Sequence, residues 1–350
     1  MPASFAIYRM PHADHALMVK QLSDEPEELL SCSELNGRRG YVVAPFEIKP
    51  EQPILLIRPD AIETVPCDVG GLGNVTCATT ADETYPDSTY TIDFANFHSQ
   101  LELGSFRKIV LARSVTEQPS VQMSPMELFL RACRLYPRMF ISLAFTPKSG
   151  LWLTATPEIL LEGKGNDWHT IALAGTMRLE GAHLQSEGEG LSWSTKNIQE
   201  QRIVATYITE CLEQYTSSFT EEGPCTVRAA NLVHLRSDFA FTLPDRDHIG
   251  DLLGTLHPTP AVCGLPKRDA FNFIIHNEHT PRRYYCGFMG MLDPEGETHL
   301  YVSLRCMNID GTRYHLFAGG GLLNDSCEDQ EWQETEAKLQ TMRSVLFKSE

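Results

Sequence analysis

Three glutamates on two helical stretches are the first residues in this sequence whose types and spacing could do chemistry. Glu200 is followed three and four positions later by Ile203 and Val204, the start of an apolar stripe, so its carboxylate falls on the buried side of a helix. A carboxylate there needs a partner. Glu331 and Glu334, in EWQET, are three apart and share a helix face, and Glu331 aligns with Thr335 and Leu339. Carboxylates turned inward from separate helices suit a hard divalent cation such as Mg2+, which takes oxygen ligands and keeps waters and a substrate oxygen around it. Ordinary helix-surface acids would show the same periodicity, and both readings stand at this level. The run AGGG at 318–321 could offer successive backbone N–H groups to an anion near a helix start, or could be a plain glycine turn. Lys108 and Arg305 stand on strand faces away from their apolar neighbours. A partly buried lysine can act as a base, and a solvent-facing strand lysine is the plain alternative. His234 in NLVHLRSDFAF and His257 in LHPTPAVCG flank an apolar interior, where structural roles compete, and Arg236 and Asp238 read as a polar strand end.

The elements that must position these residues follow from hydrophobic periodicity. Ile92, Phe94, Phe97 and Leu101 predict a helix over Tyr90–Leu103. Lys108–Val115 is β-branched and alternating, with Lys108, Val110 and Ala112 on one face. Leu151–Leu161 predicts another strand ending in a short turn, and residues 193–215 a helix whose stripe includes Tyr207, Ile208, Cys211 and Leu212. Thr298–Cys306 alternates as a single strand, with Arg313–Ala318 as its hairpin partner. The last helix is expected to start near Ser326, capped with Asp329, and to carry the stripe Thr335, Leu339, Met342 and Leu346. Strands and helices mix without regular βαβ alternation, which predicts an α+β fold. Residues 65–90, rich in Gly, Thr, Asp and Pro, read as a long connection. The GGLG at 70–73 is not followed by a helix pattern bearing Lys or Ser/Thr, which argues against a phosphate-binding loop.

A formal net charge of −17 argues against nucleic acid and anionic membranes as partners. It leaves room for a small anionic substrate, since a metal ion or local Lys/Arg pocket inverts the field. The N-terminus lacks a signal-peptide pattern, and no apolar run approaches the ~18 residues of a membrane span. Ten cysteines without a C-x-x-C pair argue against a zinc site, and a disulfide framework is not expected in a chain this long without an export signal, so reduced thiols in the cytoplasm are expected.

Nine segments, taken in order, resemble the chorismate-utilising enzymes: FRKIVLAR (106–113), ATPEILL (155–161), ALAGTMR (172–178), KNIQEQ (196–201), LHPTPAVCGLP (256–266), YYCGFMG (284–290), LRC (304–306), AGGGL (318–322) and EWQETEAK (331–338). The similarity covers about residues 90–348. It implies one α+β domain, with two packed antiparallel sheets flanked by helices and the active site between them. Residues 1–89 would then be a variable N-terminal part of the same fold, and 90–350 the chorismate-binding catalytic region.

Within the family the sequence is similar to the isochorismate synthases. Lys108 matches the water-activating lysine of the isochorismate and salicylate synthases. Ala174 stands where aminodeoxychorismate enzymes carry a nucleophilic lysine, and Ala261 where salicylate synthases tend to have threonine. The resemblance implies an Mg2+-dependent isomerase with Glu200, Glu331 and Glu334 as metal ligands. Lys108 would activate water for attack at C2 of chorismate, and Glu158 would protonate the hydroxyl leaving C4. That asks for a lysine pKa lowered and a glutamate pKa raised. Arg305, Tyr285 and the backbone of Gly319, Gly320 and Gly321 would hold the enolpyruvyl carboxylate, with Lys338 nearby. Gly175, Thr176 and His257 would line the ring pocket, and His234 would lie near the ring carboxylate. No glutamine amidotransferase subunit is implied. The product would feed menaquinone or siderophore biosynthesis. Salicylate synthase is the competing enzyme, and a non-catalytic chorismate-binding paralogue the competing class. Asn197 and Gln201 depart from the family's usual acid and histidine, which removes charge around the metal ligands. AGGG replaces the commoner AGAG and adds backbone freedom.

Overall fold

In the computed structural model, residues 3–23, 25–67, 85–179, 191–229, 232–243 and 246–347 are described. The first third contains β1 (Ser4–Arg9), β2 (His15–Gln21), β3 (Glu27–Leu29), β4 (Gly40–Ala44), β5 (Ile54–Ile57), β6 (Ala61–Pro66), α1 (Ser88–Glu102) and β7 (Lys108–Glu117). Then come α2 (Pro125–Leu135), β8 (Phe140–Thr146), β9 (Gly150–Thr156), β10 (Ile159–Lys164), β11 (Asp167–Arg178), α3 (Thr195–Leu212), β12 (Phe219–Ala229) and β13 (Leu232–Thr242). The chain continues through α4 (Ile249–Leu256), β14 (Gly264–Leu265), α5 (Lys267–Asn277), β15 (Phe288–Leu292), β16 (Glu297–Val302), β17 (Cys306–Asp310), β18 (Arg313–Leu322) and α6 (Glu328–Leu346).

The strands form two antiparallel sheets, ordered β14-β7-β18-β17-β9-β8-β1-β2-β6 and β12-β13-β11-β10-β16-β15-β4-β5-β3. The N-terminal strands therefore enter both sheets. The inner faces pack on each other: Phe140 of β8 stacks on Tyr301 of β16 with ring centroids 4.3 Å apart, and Tyr8 of β1 meets Tyr41 of β4 at 5.5 Å. Helices α2 and α6 cover the outer face of the first sheet with Leu128, Phe129, Leu339, Met342 and Val345, while α3 packs on β11 and β13 of the second. The fold is α+β. Among the described residues, no helix is long and apolar enough to cross a membrane.

Two expected single strands prove to be pairs. Leu151–Leu161 divides between β9 in the first sheet and β10 in the second, and Thr298–Cys306 divides between β16 and β17. The chain crosses from sheet to sheet at Pro157–Glu158 and again at Ser303–Arg305. The crossings are tied together, with Val302 N donating to Glu158 O at 2.9 Å and Ala155 N to Arg305 O at 3.0 Å. Alternation hid the breaks because the strands on either side of each bend are buried and rich in apolar residues, Trp152, Leu153, Ile159 and Leu160 at the first and Leu300, Val302 and Met307 at the second. Strand β18 accordingly pairs with β17 and β7, not with β16.

The AGGG run lies inside β18, with Gly319, Gly320 and Gly321 opposite Ala112, Leu111 and Val110, and is neither a turn nor a helix-start nest. The last helix begins after Cys327, whose side chain makes no cap bond; Ser326 instead accepts from Leu323 N at 3.0 Å. Its stripe is buried as expected. On α1 the buried face holds Tyr90, Asp93, Phe94, Phe97 and Leu101, whereas Ile92 is exposed. Asp93, unanticipated inside, is held by His279. Of the connection at 65–90, residues 68–84, including GGLG, lie outside the described residues.

Candidate active site

A small cleft, open to solvent, lies between the sheets. Glu158, Gly175, Thr176, Glu200, His234, Ala261, Tyr285, Arg305, Gly319, Gly321 and Lys338 line it. Lys108, the first residue of β7, sits directly behind this wall. It is fully buried, which overturns the solvent-facing alternative, and its Nζ lies 2.8 Å from Glu200 Oε1, off the angle of a hydrogen bond.

Glycine makes this approach possible. A Cβ on Gly321 would overlap Glu200 Oε1 and come within 2.8 Å of Lys108 Cε. A Cβ on Gly319 would come within 2.9 Å of the Tyr285 hydroxyl, and one on Gly320 within 3.1 Å of Glu331 Oε2. Gly319 and Gly320 thus each make room for one side chain of the site, and Gly321 for two.

Glu200 is positioned by α3 docking on β11. Its Oε2 accepts from Gly175 N at 3.1 Å, at a bulge where Gly175 takes φ +72° against the backbone of Asn197. Gln201, next on the helix, accepts from Ala174 N at 2.9 Å and donates to Ala172 O and Ser237 Oγ. The neutral amide therefore pins β11 under the cleft. Burial pushes the Glu200 carboxyl up, but the Lys108 ammonium, with Lys338 and Lys196 behind it, more than offsets this and holds it below the usual carboxylate range.

Glu158 behaves in the opposite way. Burial at the first crossing pushes its carboxyl up to about 7, against the opposing pull of Lys108 and Arg305. The Thr259 hydroxyl donates to it at 3.5 Å. Arg305, at the second crossing, is buried with φ +43°, and its Nε has no hydrogen-bond partner. One of its terminal nitrogens donates to His234 Nε2 at 3.1 Å, and His234 Nδ1 donates to Gly175 O at 3.1 Å. Burial, with Arg305 beside it, holds that imidazole neutral. A buried guanidinium with a free donor edge facing a cleft is suited to a carboxylate.

Glu331 and Glu334 come from the first turns of α6. The Glu331 carboxyl is raised by burial and by the charge of Glu334, and its Oε2 is buried without a hydrogen-bond partner. A buried carboxylate with a spare oxygen, Glu331, next to the half-buried carboxylate of Glu334 and beside a glycine whose Cβ would crowd that oxygen, fits a hard divalent cation. In the structure each of the three acids is held by a lysine: Glu200 by Lys108, Glu331 by Lys196, and Glu334 by Lys338 at 2.6 Å. Among the described residues no three His, Cys, Asp or Glu side chains stand close enough to chelate an ion in that arrangement.

His257 is not brought to the cleft. It donates to Pro45 O at 3.2 Å, packs edge-on against Phe288, and lines a separate cavity with Tyr215, Lys267 and Phe271. Burial and the nearby Lys267 hold it neutral, lowered to about 3. Sequence reasoning missed Thr259 and Lys196, although both lie inside segments singled out there, LHPTPAVCGLP and KNIQEQ.

A family model described as chorismate binding enzyme matches residues 74–347. The salicylate biosynthesis isochorismate synthase of Pseudomonas aeruginosa is 34% identical over 254 residues, 71% of this chain and 52% of that protein. Isochorismate synthase EntC of Escherichia coli is 32% identical over 200 residues, 56% of this chain and 51% of that protein. The chain spans about half the length of these curated relatives. The structure of MenF, the menaquinone-specific isochorismate synthase of Escherichia coli, matches with a TM-score of 0.80 at 23% identity, over 99% of this chain and 89% of that one, a likeness of fold. The matched segment holds every residue of the cleft, and the chain belongs to the chorismate binding enzyme family.

Proposed function

We propose that this protein is an isochorismate synthase, an isomerase that adds water at C2 of chorismate and expels the C4 hydroxyl. The observation that carries the reading is a buried lysine, Lys108, held against Glu200 just behind the cleft wall, together with a buried carboxyl in that wall, Glu158, raised to about 7. Lys108 takes the proton of the attacking water, and Glu158 gives its proton to the departing hydroxyl. The raised carboxyl keeps a share of its acid form near neutral pH, as a proton donor must. Arg305 binds a substrate carboxylate through its free donor edge, supported by Tyr285 and Lys338, while neutral His234 steers the guanidinium. Gly175, Thr176 and Ala261 shape the wall against the ring.

Glu200, Glu331 and Glu334 would hold Mg2+, which would supply positive charge to anchor the ring carboxylate. Lys108, Lys196 and Lys338 pair with these three carboxylates in the structure, and Lys108 is the one that takes up the water proton.

The substrate is a small dianion, with no nucleic acid, membrane or glutamine amidotransferase subunit involved. The protein works in the cytoplasm, residues 1–89 completing the fold around the catalytic region 90–350, and its product feeds menaquinone or siderophore synthesis. Incubation with chorismate and Mg2+, followed by product separation, tests the reading. Isochorismate with little pyruvate is expected. Stoichiometric salicylate and pyruvate would favour a salicylate synthase, and no turnover a binding paralogue.

A further inference from the structure

Lys196 belongs to none of the roles above, yet it pairs with the most enclosed acid of the trio. It lies in the first turn of α3, reaches across to α6 and contacts Glu331 Oε1. The Glu331 side chain is 1% exposed and that of Lys196 22% exposed, so one end of the pair is fixed and the other opens to solvent. Glu331, Glu334 and Glu200 all act on the Lys196 ammonium. The other two lysines are more firmly held. Lys108 has no exposure, and Lys338 also donates to Gly319 O at 2.7 Å. Among the described residues, Glu331 is the hydrogen-bond partner of Lys196.

We propose that Lys196 is the resident counter-ion of the acid cradle: it neutralises Glu331 while no metal is bound and withdraws to solvent when a divalent cation arrives, thereby setting the cation's affinity. The inference rests on the Mg2+ reading of Glu200, Glu331 and Glu334. An ammonium is a compact, strongly hydrated charge on a flexible stem, well suited to leave a carboxylate for water. The competition is for Glu331, whose second oxygen has no hydrogen-bond partner to replace. Lys196 is in this sense a positioning residue that acts through Glu331. A fixed strap between α3 and α6 would have the opposite consequence, because its loss would loosen the cradle and weaken metal binding.

Binding of Mn2+ to the full, substrate-free chain at pH 8, followed by electron paramagnetic resonance, separates the two. Lys196→Gln should bind Mn2+ about tenfold more tightly, the scale on which groups around metal ligands tune affinity. Lys196→Arg, which keeps the charge, should stay near wild type. In the unmutated protein, Mg2+ should raise the rate at which Lys196 is reductively methylated, read by peptide mass spectrometry. Unchanged or weaker Mn2+ binding by a natively folded Lys196→Gln, or labelling of Lys196 that Mg2+ does not raise, overturns the counter-ion role. Glu331→Gln serves as the control on the underlying reading. If it loses Mn2+ while Lys196→Gln matches wild type, only the counter-ion role falls; if it binds Mn2+ as wild type does, the Mg2+ reading falls as well.

Discussion

Lys108 Nζ and Glu200 Oε1 meet 2.8 Å apart inside the protein, one from the first sheet and the other from the helix that packs on the second. The contact spans the two halves of the fold, and it exists because position 321 has no side chain. A buried pair of this kind is expensive to break by removing one partner, since the other is left uncompensated.

Gly321→Ala should therefore inactivate the protein, because the added methyl overlaps Glu200 and crowds Lys108. Gly320→Ala should keep most of its turnover, since its Cβ would come no closer than 3.1 Å to Glu331 Oε2, a contact that a shift of a few tenths of an ångström relieves. Steady-state rates and thermal melts of the two variants check the contrast. Equal behaviour would contradict the close approach at Gly321.

Lys108→Ala should lower isochorismate formation by about 10²–10⁴-fold, the usual worth of a positioned acid or base, while chorismate binding remains measurable. Retention of more than about a tenth of wild-type turnover would remove Lys108 from the base role. Arg113 is no substitute: a guanidinium does not deprotonate in proteins, and this one is engaged with Thr335 and Glu336 and stacked on Trp332.

Glu158→Gln should slow turnover on a similar ~10²–10⁴-fold scale and remove one limb of the pH–rate profile, the limbs of the wild-type curve belonging to the coupled pair. Stability should move the other way. The folded carboxyl, at about 7, lies above its ordinary 4.5, so its stabilising proton is fully present below about pH 4.5 and lost as pH rises through about 7. Glutamine mimics the protonated form. The variant should melt near wild type at pH 4.5 and higher than wild type at pH 8, which calorimetry at the two pH values checks.

Glu331→Gln and Glu334→Gln should each weaken Mg2+-supported chorismate binding while leaving the fold intact, and excess chelator should abolish wild-type turnover. Titration calorimetry with and without Mg2+ measures the first effect. Wild-type affinity and rate in both variants would exclude these acids from the site.

The sequence by itself carried the α+β class, the helix bearing Glu200 and the buried stripe of the last helix, because periodicity records local geometry, while most of the cleft residues came only through the family resemblance of its short motifs. It also carried the carboxylates of the acid trio, since an acid beside an apolar stripe is visible one helix at a time. It did not carry the two crossings that set Glu158 and Arg305 between the sheets, because the strands on both sides of each bend are buried and carry apolar residues that read as one continuous strand. Nor did it reveal that the AGGG run is a strand. Its purpose lies in side chains distant in sequence, Tyr285, Glu331, Glu200 and Lys108, which need the space its missing Cβ atoms leave. His257 and Lys196 changed places for the same reason. His257 stands in a family segment yet points to another cavity, while Lys196, passed over as one lysine among many, meets Glu331 only once α3 and α6 are folded side by side. Local patterns fix which residues are turned inward, and only the packing of two sheets and their helices decides which of them meet.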